Sequence, residues 1–135
     1  VTVSADTVPR NLSAYPVITL TAGSSAVRQA RIRFWENPDN LTIDQLGACD
    51  YDGEIIVSYL AEGATLVIDG VLREATISKP GFEDRNANHI LYGPDGGPVE
   101  WPELSGGIPY LVTLELDSDE PYADTLMLVD LVVRD

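Results

Sequence analysis

Apolar and polar residues alternate with a period of two along most of this chain, the spacing of a strand with one buried face. The clearest run is residues 27–35, where Ala30, Ile32 and Phe34 share one face while Arg31, Arg33 and Trp35 share the other. Residues 110–117 repeat it, with Tyr110, Val112, Leu114 and Leu116 inward and Thr113, Glu115 and Asp117 outward. Residues 17–22, 54–60 and 64–68 read as further strands, separated by turn chemistry such as Gly23-Ser24-Ser25 and Glu62-Gly63. Asp69-Gly70 predicts a two-residue hairpin, because both positions tolerate φ > 0, with 71–78 as the returning strand. Residues 125–133 are apolar on both faces, which predicts a central strand or one covered by a partner chain.

Helical signal is confined to 41–48, a short turn capped by Asn40 or Thr42. Residues 79–109 are rich in Gly and Pro and read as loop, with strand fragments at 90–92 and 99–101. Seven to ten short strands spaced by Gly, Pro and Asp turns fit a sandwich or a barrel. The expectation is an all-β, antiparallel β-sandwich. At 135 residues the chain has the size of one domain. Residues 16–135 are expected to form the sandwich, and residues 1–15 an N-terminal arm or edge strand.

Charge and inventory exclude several classes of function. With 22 acidic residues against 8 basic, the net charge of -14 repels phosphate backbones, so no nucleic-acid partner is expected. Cys49 is the single cysteine, so no internal disulfide can form. No apolar stretch approaches the ~20 residues that span a bilayer, and no membrane partner is expected. The N-terminus has neither the basic region nor the apolar block of a signal peptide, and it lacks an initiator Met, as a processed product or a piece of a longer protein would. Nucleophilic catalysis would have to pass through His89, the only histidine, and no Gly-x-Ser-x-Gly elbow exists. Carboxylate pairs are abundant enough to arise by chance. No enzymatic activity is expected.

Three groups of residues could carry binding. Trp35, outward on its strand, and Trp101, in a loop near Tyr92, are candidate carbohydrate contacts through stacking and directed hydrogen bonds. Packing under a loop or in a subunit interface accounts for both tryptophans equally. Asp117, Asp119, Glu120 and Asp124 place four carboxylates on one turn, the hard oxygen donors that calcium takes, and Asp50, Asp52 and Glu54 form a second cluster. Neither matches an EF-hand loop, and polar turn residues keeping strand ends solvated explain both. No other cofactor is implied. Arg31 and Arg33, a basic stripe, are candidate interface residues together with Met127, Val129 and Leu131 on one face of the last strand. Pairing of the arginines with carboxylates on an adjacent strand is the alternative.

The segment Thr65-Leu66-Val67-Ile68-Asp69-Gly70-Val71-Leu72-Arg73-Glu74-Ala75-Thr76, a Gly/Pro loop, then Trp101-Pro102-Glu103-Leu104-Ser105-Gly106-Gly107-Ile108-Pro109-Tyr110-Leu111-Val112-Thr113 resembles the C-terminal β-sandwich domain of minor and distal tail proteins of long-tailed phages. The opening Thr7-Val8-Pro9-Arg10-Asn11-Leu12 looks like the same group. The resemblance implies a jelly-roll or galectin-like sandwich in the phage tail of a virion. There it would assemble with itself or with other virion proteins as a structural component, and some such proteins contact host-surface glycans. It carries no catalytic residues over. The further N-terminal ring-forming domain that tail-tip proteins often have is not in this chain.

Overall fold

The computed structural model describes residues 2–5, 8–46, 51–116 and 124–134. Eleven strands run through them: β1 (Thr2–Ser4), β2 (Ser13–Thr21), β3 (Val27–Glu36), β4 (Gly53–Leu60), β5 (Thr65–Asp69), β6 (Glu74–Ser78), β7 (Arg85–Asn86), β8 (Leu91–Tyr92), β9 (Leu104–Ser105), β10 (Pro109–Glu115) and β11 (Leu126–Arg134). One sheet has the order β1-β10-β3-β4-β8 and the other β11-β2-β5-β6-β7, with β9 also pairing β2. Every pairing is antiparallel. The two sheets pack face to face as an antiparallel β-sandwich.

Alternation builds the layer between them. Ile18 and Leu20 on β2, Ile32 and Phe34 on β3, Ile55 and Val57 on β4, Leu66 and Ile68 on β5, and Val112 on β10 are fully buried. Each large side chain removed from water contributes about 1.5–3 kcal/mol, so this layer is the main stabilising term. The helical turn α1 (Ile43–Leu46) is capped by Thr42: its N–H donates to Gln45 Oε1 at 2.9 Å, and its carbonyl accepts the Gln45 N–H at 3.1 Å. Only the glutamine half of a capping box is present, since the return bond runs to the Thr42 carbonyl while the Thr42 hydroxyl itself donates to Gln45 Oε1 at 3.2 Å.

The structure corrects three details of the sequence reading. First, β2 begins at Ser13 and runs through Pro16 rather than starting after it. Pro16 lies opposite Leu131 of β11, one residue beyond the β2–β5 pairing that ends at Val17↔Asp69, so its missing N–H breaks no ladder bond to β5. Second, the β5–β6 hairpin closes at Asp69↔Glu74, with a four-residue loop at 70–73 instead of a two-residue turn. The Asp69 carboxylate accepts the N–H groups of Val71 (2.9 Å) and Leu72 (3.1 Å), and Arg73, at φ 56°, takes the left-handed position. Glycine is needed at position 70 for a different reason: its N–H donates to the Pro16 carbonyl at 2.9 Å, and a Cβ there would stand 2.5 Å from that oxygen.

Third, β11 is an edge strand and not a central one. All nine of its residues pair with β2, from Leu126↔Thr21 to Arg134↔Ser13, and no other described strand bonds to it. Met127, Val129 and Leu131 pack half-buried against the core, while Leu126 (63%), Leu128 (65%) and Val133 (46%) stand exposed.

The Pro16–Gly70 approach makes a prediction. Gly70→Ala should cost about 1–3 kcal/mol in urea denaturation, the range for overpacking a tight contact. A variant as stable as the parent chain would show that the turn can shift freely away from Pro16.

Candidate functional site

The outer face of the first sheet carries an ion-pair cluster built on one buried carboxylate, Glu54. Cross-strand register places Arg33 opposite both Glu54 of β4 and Thr113 of β10, and Arg31 opposite Glu115. Arg33 Nε donates to Glu54 Oε2 at 2.6 Å and Arg33 Nη1 to Glu115 Oε2 at 2.9 Å, while Arg31 Nη1 lies 3.5 Å from Glu54 Oε1. The Glu54 side chain is 1% exposed, a position a carboxylate holds only when it is paired. Burial works against the charged guanidinium of Arg33, but the hydrogen bond and attraction of Glu54, with Glu115, outweigh it and hold its pKa above the usual arginine value. Arg31 and Arg33 are therefore satisfied within the chain. They are not free interface cations.

Trp35 lies beside this cluster. It projects from the outer face of its strand, yet it is only 2% exposed, with Tyr51 edge-on at 6.1 Å and 83°. The same Tyr51 ring lies under the Arg33 guanidinium at 4.8 Å. Trp35 is thus a packing residue against the segment that returns to β4, and the exposed sugar platform expected of it is corrected. Strand alternation gives the direction of a side chain and says nothing of what folds over it.

Trp101 sits in a more open setting. At one end of the sandwich a cleft of about 280 Å³ is lined by Phe34, Glu36, Asp52, Gly53, Tyr110 and residues 100–105. The Tyr110 hydroxyl accepts the Ser105 N–H at 3.0 Å and donates to Glu36 Oε1 at 3.4 Å. Burial raises the pKa of this phenol despite the Ser105 bond, so it acts as a neutral donor. The Asp52 carboxylate accepts the Glu36 N–H and that of Glu103 the Ser13 hydroxyl, both at 2.6 Å. Trp101 is half-buried among these groups, and no Lys or Arg lines the cleft. Tyr92, on β8 opposite Ile56, is 40% exposed and does not line it. The three aromatic candidates do not converge.

Of the four carboxylates read as a calcium turn, Asp117, Asp119 and Glu120 lie outside the described residues, as does Asp50 of the second cluster. The Asp124 carboxylate accepts the Ser24 N–H at 2.9 Å, a bond that lowers its pKa below the ordinary carboxylate value. It also occupies the space a Cβ at Gly23 would need. Asp124 thereby ties the start of β11 to the turn after β2. Asp52 and Glu54 turn to different partners, Glu36 and Arg33. Among the described residues no group of three or more His, Cys, Asp or Glu side chains could hold a metal ion.

Sequence reasoning missed a second opening at the other end of the sandwich. It consists of two adjoining grooves along Ala61, Ile77 and Arg85, flanked by Phe82 and Tyr59. Its residues come from two stretches, 59–64 and 77–90, which only the pairing of the strands brings together. Comparison of the chain with protein-family models, with curated proteins and with solved structures returns no match.

The ion-pair geometry sets an expected contrast in stability. Glu54→Gln should lose about 3 kcal/mol, because it removes one partner of a buried pair. Glu115→Gln, whose side chain is 59% exposed, should change stability by about 0–1 kcal/mol. Equal losses in denaturant unfolding would contradict the burial of Glu54.

Proposed function

We propose that this chain is a non-enzymatic assembly module of a phage virion, a minor tail or tail-tip component that binds other virion proteins or further copies of itself through the open edge of β11. The observation that carries the reading is the state of that edge. β11 is nine residues long, is hydrogen-bonded on one side only among the described strands, and exposes Leu126, Leu128 and Val133. Unpaired backbone donors and acceptors beside exposed leucines form a template for a further strand. Asp130 is the only acidic residue within β11, and no proline interrupts it. The contact face differs from the one expected of Met127, Val129 and Leu131, which turn toward the core. The phage assignment itself rests on the resemblance over residues 64–116 and at the N-terminus.

Light scattering coupled to size-exclusion chromatography tests the edge. The chain should self-associate at high concentration or bind a tail protein, and Leu128→Lys should abolish association while circular dichroism stays that of the parent. A strict monomer with no virion partner removes the reading.

A second reading, carbohydrate recognition, is favoured by one observation: Trp101 shares a cleft with the Tyr110 hydroxyl and several carboxylates. A flat apolar ring beside directed acceptors suits a neutral sugar. On a glycan array, binding should disappear in Trp101→Ala and persist in Trp35→Ala if the fold survives. Flat titrations for the parent chain and both variants argue against it.

A further inference from the structure

We infer that the paired grooves between Tyr59 and Phe82 form a binding site for a small organic monoanion, one with a flat or aliphatic body and a single carboxylate or sulfonate. The site lies at the far end of β4 from the Trp101 cleft: that eight-residue strand runs from Gly53, in the cleft, to Leu60, next to Ala61 of the grooves. At ~3.3 Å per residue the two are about 25 Å apart. The inference is independent of the edge strand and of the Trp101 cleft.

Shape is the first argument. The grooves hold about 250 and 270 Å³ and adjoin along Ala61, Ile77 and Arg85, each of a size that suits a small ligand. Their floor is apolar, and Phe82, 66% exposed, and Tyr59, 46% exposed, stand at the two sides. The two rings offer apolar faces beside the grooves on which the body of a ligand can pack.

Charge is the second. The chain has only 8 basic residues against 22 acidic. Arg31 and Arg33 are consumed by Glu54 and Glu115, whereas neither Lys79 nor Arg85 forms an ion pair with a described carboxylate. The Lys79 ammonium instead sits 5.7 Å from the centroid of Phe82, and the Arg28 guanidinium 6.0 Å from that of Tyr59. Of these cations Lys79 lines the Phe82 lobe and Arg85 lines both lobes, while Arg28 lines neither. Glu83 is the one carboxylate among the lining residues and belongs to the Phe82 lobe only. The anionic group therefore belongs at Arg85 on the side of His89, and the apolar body lies along Ile77 and Ile90 against Tyr59. Glu62 and Asp84, near the same end, disfavour a second negative charge, which limits the ligand to one.

The test uses 8-anilinonaphthalene-1-sulfonate as the anion and uncharged N-phenyl-1-naphthylamine as its isostere, each titrated by fluorescence into the full folded chain. The sulfonate should bind saturably at one site. Arg85→Gln should weaken it about tenfold, Lys79→Gln less, and raised salt should weaken it further. The naphthylamine should bind more weakly and be indifferent to both substitutions. Because the exposed β11 leucines could also take up dye, the titration is repeated on Leu128→Lys, where sulfonate binding should be unchanged; failure of the assembly reading leaves this result standing. Equal affinity for the two dyes, no response to Arg85→Gln, or loss of binding in Leu128→Lys overturns the inference. So does a groove that takes a glutamate-rich peptide and not the sulfonate.

Discussion

Every feature of this protein depends on one layer of aliphatic and aromatic side chains packed between two sheets. Phe34 and Ile32 from one sheet meet Ile18, Leu20, Leu66 and Ile68 from the other, with almost no solvent reaching them. Pleating makes this economical, since a residue that faces inward leaves its neighbours in sequence facing outward. The strands are therefore fixed in register: a slip of one residue would drive Arg31 and Arg33 into the core and Ile32 out of it. The open edge, the end cleft and the paired grooves are all positioned by that register.

A second layer of order lies outside the first sheet, where charge is handled instead of hydrophobic area. Glu54 is as buried as a core residue, and the cost of removing a carboxylate from water is offset by Arg33 at 2.6 Å and Arg31 at 3.5 Å. Tyr51 joins the arginine cluster to Trp35, so one aromatic ring serves both the ion pair and the packing of the covering segment. Truncation of Glu54 and loss of Trp35 packing are expected to propagate to each other through that ring.

The distribution of charge separates the two ends of the sandwich. At one end Glu36, Asp52, Glu100 and Glu103 surround Trp101 with no Lys or Arg among the lining residues. At the other, Lys79 and Arg85 line apolar grooves beside Glu83, and neither forms an ion pair with a described carboxylate. Along one edge runs β11, with Leu126 and Leu128 in water. Net charge of -14 opposes self-association, so the association proposed for this edge would have to come from backbone pairing and apolar contact.

Period-two alternation determined by itself that the chain is all-β, and it identified the buried face at Ala30, Ile32, Phe34, Tyr110 and Val112, because the direction of a side chain on a strand is a local property. Turn chemistry marked most of the connections for the same reason. The pairing into two sheets, and so the choice of sandwich over barrel, came from the tertiary structure. What only the tertiary structure decided is which strands are neighbours and what lies on top of them. β11 is an edge because of pairings between residues more than a hundred positions apart, from Leu126↔Thr21 to Arg134↔Ser13. Trp35 is covered because Tyr51 returns over it. Gly70 is required by Pro16, fifty-four positions earlier, and not by its own φ. Burial and partnership are properties of the space around a residue, and in a fold built from long-range pairings that space is filled by segments with no trace in the local pattern.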